Sequence, residues 1–195
     1  GIISNLRPDD QLKKLQCVGQ AFPCTEIKTL TESGNICEPN EVGELFTTSP
    51  YLFNGYWKRP DETKEALVDG WLTVGDMARQ DEDGYLYIVD RKKDMVISGG
   101  VNIYPREIED VLYNHPNIQD VAVIGVPDEK WGETPCAFVE LIKDKSAKED
   151  EIVSFCRETL AGFKIPKKII FCELPTTSTG KIQKFELRKK AKEIN

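Results

Sequence analysis

Two segments of the sequence combine residue types that could hold a nucleotide-like ligand. In residues 70–76, Asp76 follows Gly75 at a predicted strand end, where a carboxylate can accept two hydrogen bonds from a ribose diol. Residues 85–109 contain Arg91, whose planar donors suit sugar oxygens or phosphate, and the pair Gly99 and Gly100, which lets the backbone come close to a ligand. Each feature alone is typical of an ordinary turn, so only their combination is informative.

A third segment, residues 175–184, is rich in small residues and presents Lys181. It is not a Walker A loop, which requires Gly-x-x-x-x-Gly-Lys-Ser/Thr, because Pro175 stands in place of the first Gly and Ile182 follows the Lys. A P-loop NTPase is therefore disfavoured. We predict a flexible loop that offers Lys181 as a compact cation to a reacting phosphate or carboxylate.

The elements that must position these residues change character near residue 90. Up to that point the sequence predicts mainly β-structure, with strands at 26–30, 43–48, 70–74, 78–80 and 85–89 and one short helix at 61–67. Beyond it we predict an α+β pattern in which helices cover one small sheet, with helices at 105–113, 149–160 and 184–192 and strands at 95–97, 118–126, 135–142 and 168–172. The charged segment 90–93 is typical of a domain boundary.

Composition narrows the class of protein. The 195 residues are 39% apolar and 30% charged, which are ordinary globular values, and the net charge of −7 argues against a broadly basic nucleic-acid binder. The charge is uneven, since residues 160–195 carry nine basic and three acidic side chains. That tail is either a solvated helix or a basic face that meets phosphates. No apolar run approaches the roughly 18 residues of a membrane span, and the first residues do not resemble a signal peptide.

Cysteine and histidine usage excludes several kinds of site. The six cysteines form no C-x-x-C pair, so we expect free thiols in a reducing compartment and a cytoplasmic protein. The single histidine, His115, rules out a His-rich metal cluster. A Cys–His nucleophile pair is disfavoured because His115 falls at a predicted helix end.

The three segments, in this order, resemble the adenylate-forming acyl-CoA synthetase family, which includes 4-coumarate:CoA ligases, luciferases and peptide-synthetase adenylation domains. Residues 18–23, 43–45 and 55–57 also resemble the β-rich subdomain of that family. The resemblance implies an α+β fold with two parts. Residues 1–91 would be the β-rich, distorted-barrel remnant of the large AMP-binding domain, and residues 92–195 a complete, mobile C-terminal lid domain.

The resemblance implies a two-step reaction. A carboxylate attacks the α-phosphate of ATP to give acyl-AMP and pyrophosphate, and the thiol of coenzyme A then displaces AMP. By position in the motifs, Asp76, Ile88, Arg91 and Lys181 match ATP- and AMP-binding residues, with Lys181 as the catalytic lysine. Lys93 matches the hinge about which the small domain rotates between the steps. That position is often acidic in relatives, and Lys is a known alternative.

For coenzyme A, the resemblance implies a site made by the turn and by aromatic and basic side chains. The matching residues are Ser98, Gly99, Gly100, Trp131, Phe163, Lys164 and Lys167. Core packing of the aromatics and solvation of the lysines is an equally good interpretation. The resemblance implies Mg²⁺, but its ligand, the Ser/Thr/Gly-rich phosphate loop and the acyl pocket would precede residue 1, so no metal site is expected in this chain.

The chain is thus expected to be the last third of a synthetase and to be inactive alone. The full-length enzyme would take ATP, coenzyme A and a carboxylic acid. The sequence leaves open whether it forms a homodimer. The uncharged segment 98–102 resembles that of ligases for medium- and long-chain fatty acids or aryl acids, and the resemblance implies a role in fatty acid metabolism. Two alternatives remain: a peptide-synthetase adenylation domain that serves a carrier protein, and a non-catalytic module that binds a nucleotide or a protein partner. Luciferase-type oxidation is a minor variant.

Overall fold

The computed structural model of the protein describes residues 3–194, so the expected domain ends at Gly1 and Asn195 lie outside the described residues. The chain divides into two compact units, Gly1–Lys93 and Asp94–Asn195. The first unit contains strands β1 (Ser4–Asn5), β2 (Gln20–Ala21), β3 (Glu26–Leu30), β4 (Gly43–Thr48), β5 (Leu67–Val68), β6 (Trp71–Leu72), β7 (Asp76–Gln80) and β8 (Leu86–Arg91), with helix α1 (Pro60–Ala66).

The core of the first unit is a six-stranded sheet in the order β5-β6-β4-β7-β8, with β3 paired to β4. The predicted strands at 26–30 and 43–48 are confirmed, because β3 and β4 have those bounds. Leu45, Ala78 and Leu86 are almost fully buried on one face and form the core of this unit. The sheet is open at its ends, and no closed barrel occurs among residues 3–194.

The predicted strand at 70–74 is shorter than expected. Asp69 and Gly70 both have positive φ, +50° and +80°, and form the two-residue turn that joins β5 to β6. A two-residue turn of this kind matches the right-handed twist of the paired strands. Gly75, with φ +72°, turns the chain again before β7, so only Trp71 and Leu72 lie in a strand.

The second unit contains β9 (Val96–Ser98), β10 (Val101–Ile103), α2 (Pro105–Leu112), β11 (Ile118–Asp128), β12 (Gly132–Leu141), α3 (Glu149–Arg157), β13 (Lys168–Phe171) and α4 (Lys184–Ile194). Its helices pack on both faces of a five-stranded sheet, ordered β10-β9-β12-β11, in which β13 pairs parallel to β12. One face packs against α2 and α3, and the other packs against α4. Residues 121–124 are therefore buried without interruption.

The expected α+β class is confirmed. All six cysteines are free thiols. Among residues 3–194, every helix is too short or too polar to cross a membrane. The assignment of the two units to a large domain and a mobile lid domain remains a prediction.

Candidate functional site

Asp76 and Arg91 form an ion pair at the ends of two neighbouring strands. Arg91 Nε lies 2.7 Å from Asp76 Oδ1, and Arg91 Nη1 donates to the carbonyl of Val74 at 3.3 Å. Asp76 is mostly buried, whereas about half of the Arg91 side chain is exposed. The pair therefore presents guanidinium donors to solvent and holds a carboxylate directly behind them. This combination suits a ligand with both hydroxyl and anionic groups.

A β-bulge at Val89 places Arg91 on the same face as Asp76. Ala78 pairs with Ile88, but Met77 pairs with Asp90 and Asp76 with Arg91, so β8 contains one extra residue. Because successive side chains alternate between faces, an unbroken β8 would put Arg91 on the face opposite to Asp76. Bulges of this kind are common beside functional sites, where they redirect a side chain.

Arg91 and Lys93 line a cleft of about 860 Å³ in the first unit. Other residues around it come from β4, the segment leading into α1, α1 itself and the turn before β7, namely Glu44, Tyr56, Arg59, Glu62, Glu65, Ala66, Thr73, Val74 and Gly75. Ile88 instead packs, partly buried, against the core of the unit. The structure thus brings Asp76, Arg91 and Lys93 to one region, and the nucleotide contact of Ile88 stays a prediction.

In the second unit, Gly99 and Gly100 form the two-residue turn between β9 and β10, with φ of +57° and +82°. The indole ring of Trp131 lies against this turn: a Cβ atom on Gly99 would be 2.6 Å from its Cε3 atom. The amide of Gly99 also donates to the carbonyl of Trp131 at 2.8 Å. The turn and the ring form one local structure, joined to Ser98 through its pairing with Gly132.

Lys167 and Asp128 complete this local structure. Lys167 Nζ lies 3.2 Å from Asp128 Oδ2 and 5.5 Å from the centre of the Trp131 ring. Asp128 Oδ1 accepts from the amides of Trp131 and Lys130, at 2.9 and 3.0 Å. The Trp131 amide, with help from Lys167, holds the pKa of the Asp128 carboxyl below its usual range. The ring, 42% exposed, and the ammonium form an aromatic and cationic surface.

Phe163 and Lys164 lie in a short 3₁₀ turn, Gly162–Lys164, before β13. Lys164 Nζ contacts both carboxylate oxygens of Glu107 at 2.7 Å, and Phe163 is half-exposed beside it. The structure therefore gives Lys164 a partner on α2, apart from the contacts that join Gly99, Trp131 and Lys167.

Lys181 lies on a tight hairpin instead of the predicted flexible loop. Thr176 and Ile182 form a β-bridge, the amide of Thr177 donates to the Lys181 carbonyl, and the amide of Gly180 donates to the Thr177 carbonyl, both at 2.9 Å. Gly180 has φ +79°, as a glycine after such a turn commonly does. The side chain of Lys181 is exposed and makes no ion pair with any side chain of residues 3–194.

The hairpin leads directly into α4, whose first residue is firmly anchored. Lys184 Nζ lies 2.7 Å from Glu109 Oε1, and both side chains are more than four-fifths buried. The same Glu109 oxygen accepts from the amide of Val123 at 2.7 Å. A buried charge pair with an additional hydrogen bond is expensive to break, so it fixes the base of the hairpin to α2 and β11.

Several residues that position the candidate site were not predicted from the sequence, although two of them have a recognisable local sequence pattern. Asp128 precedes two residues whose amides it caps, which is the pattern of an Asx turn. Glu109 follows buried Ile108 on α2, where a charge requires a partner. The partners of Glu44, described below, have no local sequence pattern.

The magnesium ion that the resemblance implies has no fitting ligand set here. Among residues 3–194, no group of three or more His, Cys, Asp or Glu side chains could hold a metal ion.

Comparisons with known proteins match both units. Residues 1–57 match the AMP-binding enzyme family, and residues 107–181 match the AMP-binding enzyme C-terminal domain. A long-chain-fatty-acid–CoA ligase of Salmonella typhimurium is 47% identical over 90% of this chain and 31% of its own length. A feruloyl-CoA synthase of Amycolatopsis is 46% identical over 91% of this chain and 36% of its own length.

Solved structures agree with these matches. An o-succinylbenzoate CoA synthetase of Bacillus subtilis, in complex with its acyl-adenylate intermediate, superposes with a TM-score of 0.89 at 36% identity. The alignment covers 96% of this chain and 38% of that one. The chain thus spans about a third of the length of the curated relatives it matches.

Proposed function

The chain belongs to the AMP-binding enzyme family, and on that premise we propose that it is the C-terminal part of an acid–thiol ligase. The full-length protein would use ATP to join a carboxylic acid to coenzyme A. The activity would require the full-length protein, and this chain alone would be inactive. The observation that carries the proposal is the exposed ammonium group of Lys181. It lies on a hairpin closed by backbone hydrogen bonds, and it has no ion-pair partner in residues 3–194.

In the first half-reaction, a carboxylate oxygen attacks the α-phosphorus of ATP, and the bond to pyrophosphate breaks. Two anions must approach each other in this step. An ammonium group that contacts both offsets the repulsion, and it does so most strongly as charge moves in the transition state. Lys181 would supply that group, while Asp76 and Arg91 would hold the ribose. Because the hairpin already fixes the backbone of Lys181, little conformational entropy is lost when its side chain contacts the reacting groups.

In the second half-reaction, the sulfur of coenzyme A attacks the acyl carbon and AMP leaves. The surface formed by Gly99, Trp131 and Lys167 supports coenzyme A binding, because an indole face can stack on adenine and an ammonium can pair with phosphate. Phe163 and Lys164 would contribute from a separate position. Lys93 would be the hinge about which the small domain rotates between the two half-reactions.

Medium- and long-chain fatty acids and aryl acids are the proposed substrates. The relatives are named for a long-chain fatty acid, ferulate and o-succinylbenzoate, and the segment 98–102 is uncharged.

The test uses the full-length protein that contains this chain, with ATP–pyrophosphate exchange measured across fatty and aryl acids. Lys181→Ala should slow exchange by about 10²–10³-fold, the usual effect of losing one transition-state charge contact. Thioester formation from supplied acyl-AMP should be spared. Lys190→Ala, at an exposed lysine of α4, is the matched control.

Equal loss of both half-reactions in Lys181→Ala would contradict its assigned role. No exchange with any acid would contradict the ligase itself, and transfer to a carrier protein but not to coenzyme A would favour the peptide-synthetase alternative. Exchange catalysed by the present chain alone would refute the expected inactivity.

A further inference from the structure

Glu44 is a mostly buried carboxylate in the cleft whose two oxygens are both engaged. Oε1 accepts from the hydroxyl of Thr73 at 2.7 Å, and Oε2 lies 2.7 Å from the ammonium of Lys92. Glu44 lies on β4, whereas Thr73 and Lys92 are distant from it in sequence and directly follow β6 and β8. One side chain therefore ties together three separate segments of the first unit.

These contacts form part of a closed ring. The hydroxyl of Thr73 accepts from the amide of Gly75 at 3.2 Å, so its single hydrogen is available to donate to Glu44. The amide of Lys92 in turn donates to the carbonyl of Gly75 at 2.7 Å. The ring thus runs from Glu44 through Thr73 and Gly75 to Lys92 and back to Glu44.

The ring is directly adjacent to the candidate ribose-binding pair. Gly75 directly precedes Asp76, and Lys92 directly follows Arg91. The backbone just before Asp76 and just after Arg91 is therefore fixed by the hydrogen bond from the Lys92 amide to the Gly75 carbonyl. The position of Arg91 already depends on the bulge at Val89, where the ladder between β7 and β8 is irregular and constrains it less.

We infer that Glu44 is a positioning residue that holds Asp76 and Arg91 in their nucleotide-binding geometry through Thr73 and Lys92. The inference rests on the proposed function, and it assigns a role to the Gly43-Glu44-Leu45 segment that the resemblance identified without one. Glu44 itself does not touch the substrate in this assignment. It also ties Lys92 to β4, which leaves Lys93 as the first residue beyond the ring.

The two arms of the carboxylate can be separated by substitution. Glu44→Gln keeps an oxygen for Thr73 but loses the charge that pairs with Lys92, and Glu44→Ala loses both arms. Lys92 is 55% exposed, so that arm alone contributes little. We expect KM for ATP in pyrophosphate exchange to rise about threefold in Glu44→Gln and about tenfold in Glu44→Ala, in keeping with one and two such contacts.

The same variants should keep kcat at saturating ATP within about twofold, because the reacting groups are untouched. Lys92→Met should match Glu44→Gln, and the double variant should be no worse than either single one. Glu26→Gln removes one exposed carboxylate from the neighbouring strand β3 and serves as the charge-matched control.

A second measurement does not depend on ATP. Trypsin should cleave the Lys92–Lys93 segment of Glu44→Ala several times faster than that of the unmodified protein or of Glu26→Gln. Faster cleavage without any pyrophosphate exchange in the unmodified protein would support the ring and contradict the proposed function. Unchanged cleavage, or effects of Glu44→Gln and Lys92→Met that multiply, would overturn the positioning role even in an active ligase. A fall in kcat with KM unchanged would overturn it as well.

Discussion

Substitution of the two turn glycines separates backbone strain from contact with Trp131. Gly99 and Gly100 both have positive φ, so alanine at either position should cost about 1–2 kcal/mol of backbone strain. A Cβ atom on Gly100 meets nothing within 4 Å, whereas one on Gly99 would be 2.6 Å from Trp131 Cε3. Gly100→Ala is therefore the matched control for Gly99→Ala.

The extra cost in Gly99→Ala comes from displacing the indole. If the ring moves off the turn and loses roughly 60 Å² of buried apolar area, the loss is about 1.5 kcal/mol at about 25 cal/mol per Å². For a unit of roughly 100 residues, that difference corresponds to about 6–10 °C in Tm. The coenzyme A surface should be disturbed only in Gly99→Ala, and the full-length variant should show a raised KM for coenzyme A.

The measurement is urea unfolding of the chain, followed by circular dichroism, in normal and Trp131→Ala backgrounds. Gly99→Ala should be the less stable glycine variant in the normal background, and the two should be equally stable once the indole is absent. Equal stability of the two variants in the normal background would refute the reasoning. So would a difference that persists without Trp131.

Two further predictions concern ionisable side chains. Burial raises the pKa of Cys136 and Cys156 to about 11. Iodoacetamide at pH 8 should therefore modify exposed Cys24 and spare these two, as measured by peptide mass spectrometry. Rapid labelling of Cys136 in the native protein would contradict its burial. The lowered pKa of Asp128 stabilises the fold above the ordinary carboxyl pKa of 3.8, and that contribution disappears as pH falls through the lower folded value. Asp128→Asn should therefore unfold at lower urea than the unmodified protein at pH 7 but at nearly the same urea at pH 2. An equal gap at both pH values would contradict the lowered pKa of Asp128 in the folded protein.

Regular elements were predictable from the sequence because their signals are local. The bounds of β3 and β4 follow from alternation and flanking turn residues, and α2 begins at Pro105, as its fixed φ favours. The residues of the candidate site could also be named in advance, because they fall within short motifs. Their contacts could not, since each contact joins segments distant in sequence.

Where the structure differs from the sequence predictions, the cause is physical and specific to the segment. The segment around Lys181 was predicted to be flexible from its small residues, but Thr177 and Gly180 supply the hydrogen bonds and the positive φ of a tight hairpin. Ile88 lies on the same face of the sheet as Asp76 and packs, partly buried, against the core of the unit, so its nucleotide contact stays a prediction. The bulge at Val89 has no sequence signature because valine is an ordinary strand residue.

That bulge makes the length of β8 as important as its composition. A single-codon insertion beside Val89 would preserve the reading frame and every residue assigned to the site. It would nevertheless shift the alternation by one position and point Arg91 away from Asp76. An inventory of motif residues would still score such an allele as intact, although its two ribose-binding candidates would be on opposite faces of the sheet. For this site, counting the residues between the motifs matters as much as identifying them.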